Sequence, residues 1–112
     1  MIRHVALFHF VPGTSTADID AIDRALAELP DTIDEIVEYR FGRDLEWLPG
    51  NADYVVVADF ASRDDWASYL AHPHHVAVVE DVIAPVLDTV TRVQFSWQRL
   101  GPAVSPDART PD

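Results

Sequence analysis

Hydrophobic positions at the start of the chain fall on both sides of an extended backbone. In IRHVALFHFV (Ile2–Val11), Ile2, His4, Ala6, Phe8 and Phe10 share one side, and Val5, Leu7, His9 and Val11 share the other. A strand that is apolar on both sides is covered on both, by helices or by a second sheet. Pro12–Gly13 ends it. Ala17–Leu29 then places Ile19, Ile22, Leu26 and Leu29 at helical spacing, with Thr14, Ser15 and Thr16 as N-cap candidates and Pro30 as the stop. Asp18, Asp20 and Asp23 suit the positive end of that helix. A second strand is expected over Ile33–Arg43, where Val37, Tyr39 and Phe41 alternate with Glu38, Arg40 and Gly42 after an irregular entry. Asp44–Ala52, with Pro49–Gly50–Asn51, is a loop with a turn. Asp53–Ala61 gives the cleanest strand, with Tyr54, Val56, Ala58 and Phe60 on one side.

Ser62 opens the next helix with Asp65 three residues on, and Trp66, Tyr69 and Leu70 give it an apolar face. His72–Pro73 interrupts it, because proline suits the first position of a new helix rather than the interior of an old one. The second piece runs from His74 to about Val82 or Ala84, with Val76, Val79 and Ile83 inward, and Pro85 stops or kinks it. In Val90–Gln98, Thr91, Val93, Phe95 and Trp97 alternate with Arg92, Gln94, Ser96 and Gln98, which predicts the last strand. The order βαββαβ predicts an α+β fold of the ferredoxin-like kind: an antiparallel four-stranded sheet with helices on one face. The other face stays partly apolar, so two copies are expected to dock sheet to sheet as a dimeric α+β barrel. Residues 1–100 form the domain, and 101–112, with three prolines and little that is apolar, are expected to be a disordered tail.

Charge removes some functions. With 19 acidic and 8 scattered basic residues the net charge is −11, which disfavours nucleic acid and anionic membrane as partners. The absence of cysteine removes disulfides and thiolate chemistry. The chain opens directly into a strand without a signal-type apolar segment, and no apolar run approaches the ~20 residues of a spanning helix, so a cytoplasmic protein is expected.

Chemistry concentrates in one stretch. Three of the five histidines lie in Tyr69–Leu70–Ala71–His72–Pro73–His74–His75. Histidine is the side chain whose unperturbed pKa lies near neutrality, so acid–base work is expected here. Adjacent histidines behind a proline do not point at a common centre and lack the spacing of a helical HxxxH pair, so no metal is expected, and nothing singles out a haem ligand or another cofactor. His72 is expected to cap the helix break, His74 to be exposed, and His9 to face the dimer barrel. Trp47 and Trp66 are expected in the core or at the dimer edge, and Trp97 in the subunit interface.

MIRHVALFHF, YRFGRDL, PGNADYVVVADF and YLAHPHH, in that order, resemble the stress-responsive A/B barrel (Dabb) domain family of the dimeric α+β barrel superfamily, over roughly residues 1 to 98. The family is functionally mixed and includes a plant polyketide cyclase. The resemblance implies a pocket between sheet and helices, with His75 as acid/base, Tyr69 and His4 assisting it, and no cofactor. Tyr54 stands where the cyclase has a further histidine, and apolar residues near Ala25–Leu26 stand where it has a tyrosine, which argues against the same substrate. The site expected from the resemblance is therefore His75, Tyr69 and His4 as catalytic residues, with Tyr54, Phe8 and Trp66 lining the pocket for a small apolar carbonyl ligand. Each has a plainer reading: a polar residue at a helix start for His75, a hydrogen-bonded core histidine for His4. The alternative is a non-catalytic dimeric stress-response or ligand-binding module.

Overall fold

The computed structural model describes residues 1–98; the expected tail at 101–112 lies outside the described residues. Strands β1 (Ile2–Phe10), β2 (Glu38–Arg43), β3 (Tyr54–Phe60) and β4 (Leu87–Ser96) pair in the order β2-β3-β1-β4, every neighbouring pair antiparallel. Helices α1 (Thr16–Thr32), α2 (Arg63–Ala71) and α3 (Pro73–Val78) cover one face. This is the expected ferredoxin-like α+β arrangement. No helix among the described residues is long and apolar enough to cross a membrane.

Local chemistry sets the helix starts. Ser15 caps α1 in a reciprocal box, its side chain accepting from the Asp18 N–H while the Asp18 carboxylate accepts from the Ser15 N–H. Ser62 caps α2 by accepting from the Asp65 N–H at 3.1 Å. Pro30 does not end α1, which continues to Thr32. Proline deletes one helical donor, but the last turn is retained: Ile33 donates to the Leu29 carbonyl at 2.8 Å and Thr32 Oγ1 to Glu28 at 3.0 Å. Ile33 is then fully buried at the helix end rather than opening a strand, and β2 begins only at Glu38. At the far end, β4 starts at Leu87, three residues earlier than the alternation suggested, across a bulge opposite His9 and Phe10.

The core lies between helices and sheet. Ile22, Leu26 and Leu29 of α1, Ala6 and Phe8 of β1, Val56, Ala58 and Phe60 of β3, and Tyr69 of α2 are all buried. Each large apolar side chain so removed from water contributes about 1.5–3 kcal/mol before chain entropy is set against it. The opposite face carries the rung Val57–Val5–Val93 across three strands, with Leu7 and Val55 beside it. Val93 and Phe95 on this face are 51% and 44% exposed. Its buried polar group is Asp59, which accepts from Arg3 through both carboxylate oxygens at 2.8 and 2.9 Å and from Trp97 Nε1 at 3.3 Å, with Arg3 over the Trp97 ring; Arg40 and Glu38 of β2 form an exposed ion pair on the same face. Trp47 is 82% exposed, so within a protomer it is no core residue: it lines an open groove with Leu7 and Val55 of the outer sheet face.

Candidate functional site

Between the sheet and α2, α3 lies a cavity of about 370 Å³ with a mostly apolar wall. Its floor is the inner side of the sheet, where Ala6 of β1 is too small to fill the space above it. Its far wall follows α3 into a turn of π-helix, Val79–Ile83, and a turn of 3₁₀-helix, Ala84–Val86. The wider turn carries Val79 and Ile83 into the cavity wall.

The helix break places the first imidazole. His72 ends α2 and caps α3, its Nδ1 accepting from the His74 N–H at 3.2 Å, and Pro73 occupies the first position of the new helix. His75 is thereby turned back over α2, where its Nδ1 lies 3.2 Å from the Leu70 carbonyl oxygen. A carbonyl only accepts, so Nδ1 carries the proton, and in the neutral ring Nε2 is the free base. This bond also satisfies a carbonyl in the last turn of α2, which otherwise lacks a helical partner. The His75 ring packs on Tyr69 with centroids 4.2 Å apart. Burial pushes the His75 pKa below its ordinary value, against the Leu70 carbonyl, which favours the protonated ring.

The second imidazole is held the other way round. His4, 5% exposed, comes from β1 and faces the cavity. Its Nδ1 accepts from Trp66 Nε1 of α2 at 3.2 Å and from Gln94 Nε2 of β4, its register partner, at 3.0 Å. Indole N–H is only a donor, so Nδ1 is the acceptor and the ring's proton sits on Nε2. Two donors aimed at Nδ1 leave no room for a second proton there. Burial, then the neighbouring His75 and Arg92, lower the His4 pKa to about 4. Tyr69, 2% exposed, shares a 2.9 Å hydrogen bond with Tyr39 of β2. Burial pushes its pKa up to about 12, with the Tyr39 hydroxyl working against the rise, and burial also raises Tyr39. Both phenols therefore keep their protons at neutral pH. The cavity thus combines one unprotonated ring nitrogen with donors on His4 and the tyrosine pair.

Residues 2–97 match the model of the Stress responsive A/B Barrel Domain, Dabb. The chain belongs to this family. It is 30% identical over 77 residues to a stress-response A/B barrel domain-containing protein of Arabidopsis thaliana, covering 67% of this chain and 71% of that protein. A second, longer stress-response A/B barrel domain-containing protein of the same plant matches at 36% over 53 residues, 47% of this chain, and the match spans only 20% of that protein's length. A solved structure from Thermobifida fusca, described as a dimeric ferredoxin-like protein of unknown function, is 38% identical with a TM-score of 0.80, covering 86% of this chain and 90% of that one. The hydroxynitrile lyase of Passiflora edulis shares the fold at 17% identity and a TM-score of 0.76, covering 90% of this chain and 96% of its own.

In this Dabb domain His4, Tyr69, His75, Phe8 and Trp66 all line one cavity. Tyr54 does not. Its ring is buried between Phe8 and Phe41, stacked on each at 10°, and its hydroxyl donates to Asp23 Oδ1 at 2.6 Å. It braces α1 against the sheet, where Arg43 also ion-pairs with Asp20 and Asp23. The sequence reading missed Tyr39, Gln94 and Arg92 as cavity residues. Alternation in β2 and β4 set them on one side of their strands, but did not say which side faces the helices.

Proposed function

We propose that this Dabb domain is an acid–base enzyme acting without a cofactor on a small carbonyl compound, by cyclisation, isomerisation or lyase chemistry. His75 Nε2 takes a proton from carbon next to the carbonyl. Tyr69, supported by Tyr39, and the Nε2–H of His4 donate hydrogen bonds to the enolate oxygen as charge develops. An activated carbonyl substrate needs no metal for this step, and general acid–base catalysis of this kind supplies ~10²–10⁴-fold. The apolar walls and the volume suit a largely apolar ligand. The observation that carries the reading is the opposed hydrogen bonding of two imidazoles on one cavity: an acceptor, the Leu70 carbonyl, at His75 Nδ1, and two donors, Trp66 and Gln94, at His4 Nδ1.

A second reading is a dimeric binding module without turnover. It is favoured by the bond from His75 to Leu70, since capping a helix end is also what an inert histidine does. The two readings separate on His75→Ala assayed against a panel of small carbonyl compounds. The enzyme reading expects turnover by the parent and its loss in the folded variant; conversion unchanged in a folded His75→Ala protein rules it out.

We further propose that the working unit is a homodimer joined through the outer sheet face. The Val57–Val5–Val93 rung, the exposed Phe95 and the exposed Leu45, Trp47 and Leu48 of the neighbouring loop support it, as does the dimeric description of the Thermobifida fusca relative.

A further inference from the structure

The cavity departs from the rest of the molecule in charge. The chain carries 19 acidic residues and a net charge of −11, yet among the described residues no carboxylate lines this cavity, and Arg92 is the single formally charged side chain that does. None of the ion pairs among the described residues involves Arg92, whereas Arg3, Arg40 and Arg43 each have a carboxylate partner. The other polar groups in the wall are uncharged. Arg92 stands opposite Ala6 in the β1–β4 register, and Gln94, its neighbour on the same face, stands opposite His4. One step along that face is about 7 Å, so Arg92 and the His4–Gln94 rung spring from backbone positions about one short ligand apart.

Resting on the acid–base reading, we propose that Arg92 binds a carboxylate on the ligand, so that the cavity takes a carbonyl compound with a single anionic end, a medium-chain oxo acid. The apolar middle of such a molecule lies against Ala6, Val90 and the π-turn residues, its carboxylate at Arg92 and its carbonyl at the His4–Tyr69 end. A guanidinium matches a carboxylate through two parallel N–H donors. One cation balances one charge, whereas a phosphoryl dianion would leave an uncompensated charge next to a strongly acidic protein.

The test is calorimetric binding of 6-oxoheptanoate and of its uncharged amide, 6-oxoheptanamide, to the full chain at low salt. The parent is expected to bind the acid about tenfold more tightly than the amide, a preference that shrinks as salt is added. Arg92→Gln should remove the preference and leave amide binding unchanged, and Arg92→Lys should restore part of it. Arg92 is exposed, so matched melting curves are expected for all three proteins. Equal binding of acid and amide by the parent, a preference that persists in Arg92→Gln, or binding of neither probe overturns the proposal. The readout is affinity, and His75, Tyr69 and His4 are untouched. Failure here therefore leaves the acid–base reading standing, and absence of turnover leaves this one standing.

Discussion

The two faces of the sheet follow opposite rules, most clearly on β4. There the helix-side residues are polar, Arg92 and Gln94, and the outward residues are apolar, Val93 and Phe95. A strand lying over an ordinary core would show the reverse. On the inner face, polar groups are fixed by one another: His4 by Trp66 and Gln94, Tyr69 by Tyr39, His75 by Leu70. On the outer face the valine rung is bordered by the Arg3–Asp59–Trp97 cluster and, on β2, by the exposed Arg40–Glu38 ion pair. The difference teaches that this small domain uses its sheet twice, setting preorganised polar groups on one side and a partly exposed apolar surface, the proposed dimer contact, on the other.

Substitutions on each face should therefore have effects of different kinds. The largest is expected from His75→Ala, which should lower turnover ~10²–10⁴-fold in a protein that stays folded, with about 1 kcal/mol of stability lost with the bond to Leu70; activity and thermal unfolding measured together check this. Turnover in the parent should rise through a single limb with its midpoint below 6.5, where His75 loses its proton, and stay flat through neutrality because Tyr69 titrates only near 12. On the other face, Val5→Glu puts a charge in the middle of the valine rung. It should weaken self-association by about a hundredfold or more, seen by sedimentation, while the cavity keeps its activity per folded chain. An intact dimer after that change would break the division between the faces.

Acid should act through the inner face. His4 binds its proton at about 4 when folded and near 6.5 when unfolded, so the unfolded state takes up the proton first as the pH falls. Its contribution is complete above 6.5 and is lost between 6.5 and 4, on the order of 3 kcal/mol in all. Urea unfolding across that interval should show the fall, and His4→Gln should flatten it. The smallest effect is expected from Tyr69→Phe. It removes one donor, leaves the ring packed on His75 and deprives the Tyr39 hydroxyl of its partner, for about a tenfold loss in turnover and about 1 kcal/mol of stability.

Much of this was legible in the residues. The strand Ile2–Phe10 shows as an apolar run on both sides of an extended backbone, Tyr54–Phe60 as a β-branched run, and the His72–Pro73 break follows from proline chemistry. Pro30 misled, since a helix near its end tolerates the loss of one donor when a buried residue such as Ile33 follows. Tyr54 misled for another reason. It lies on the same side of the sheet as His4, but displaced along it, with its hydroxyl taken by Asp23, a residue 31 positions away in the chain. Tyr39, Gln94 and Arg92 were hidden because alternation fixes which residues share a side without saying what covers that side. Only the pairing of Gln94 with His4 and of Arg92 with Ala6 brings them to the cavity.

The protonation of the two imidazoles can be measured directly, with no knowledge of the substrate. In the ¹⁵N-labelled protein at neutral pH, long-range nitrogen–proton correlation spectra report which ring nitrogen of each histidine carries the proton. The structure requires Nδ1–H on His75 and Nε2–H on His4, both rings neutral. A proton on Nε2 of His75, a proton on Nδ1 of His4, or a cationic ring at either position would contradict the pairing of a free base with a fixed donor.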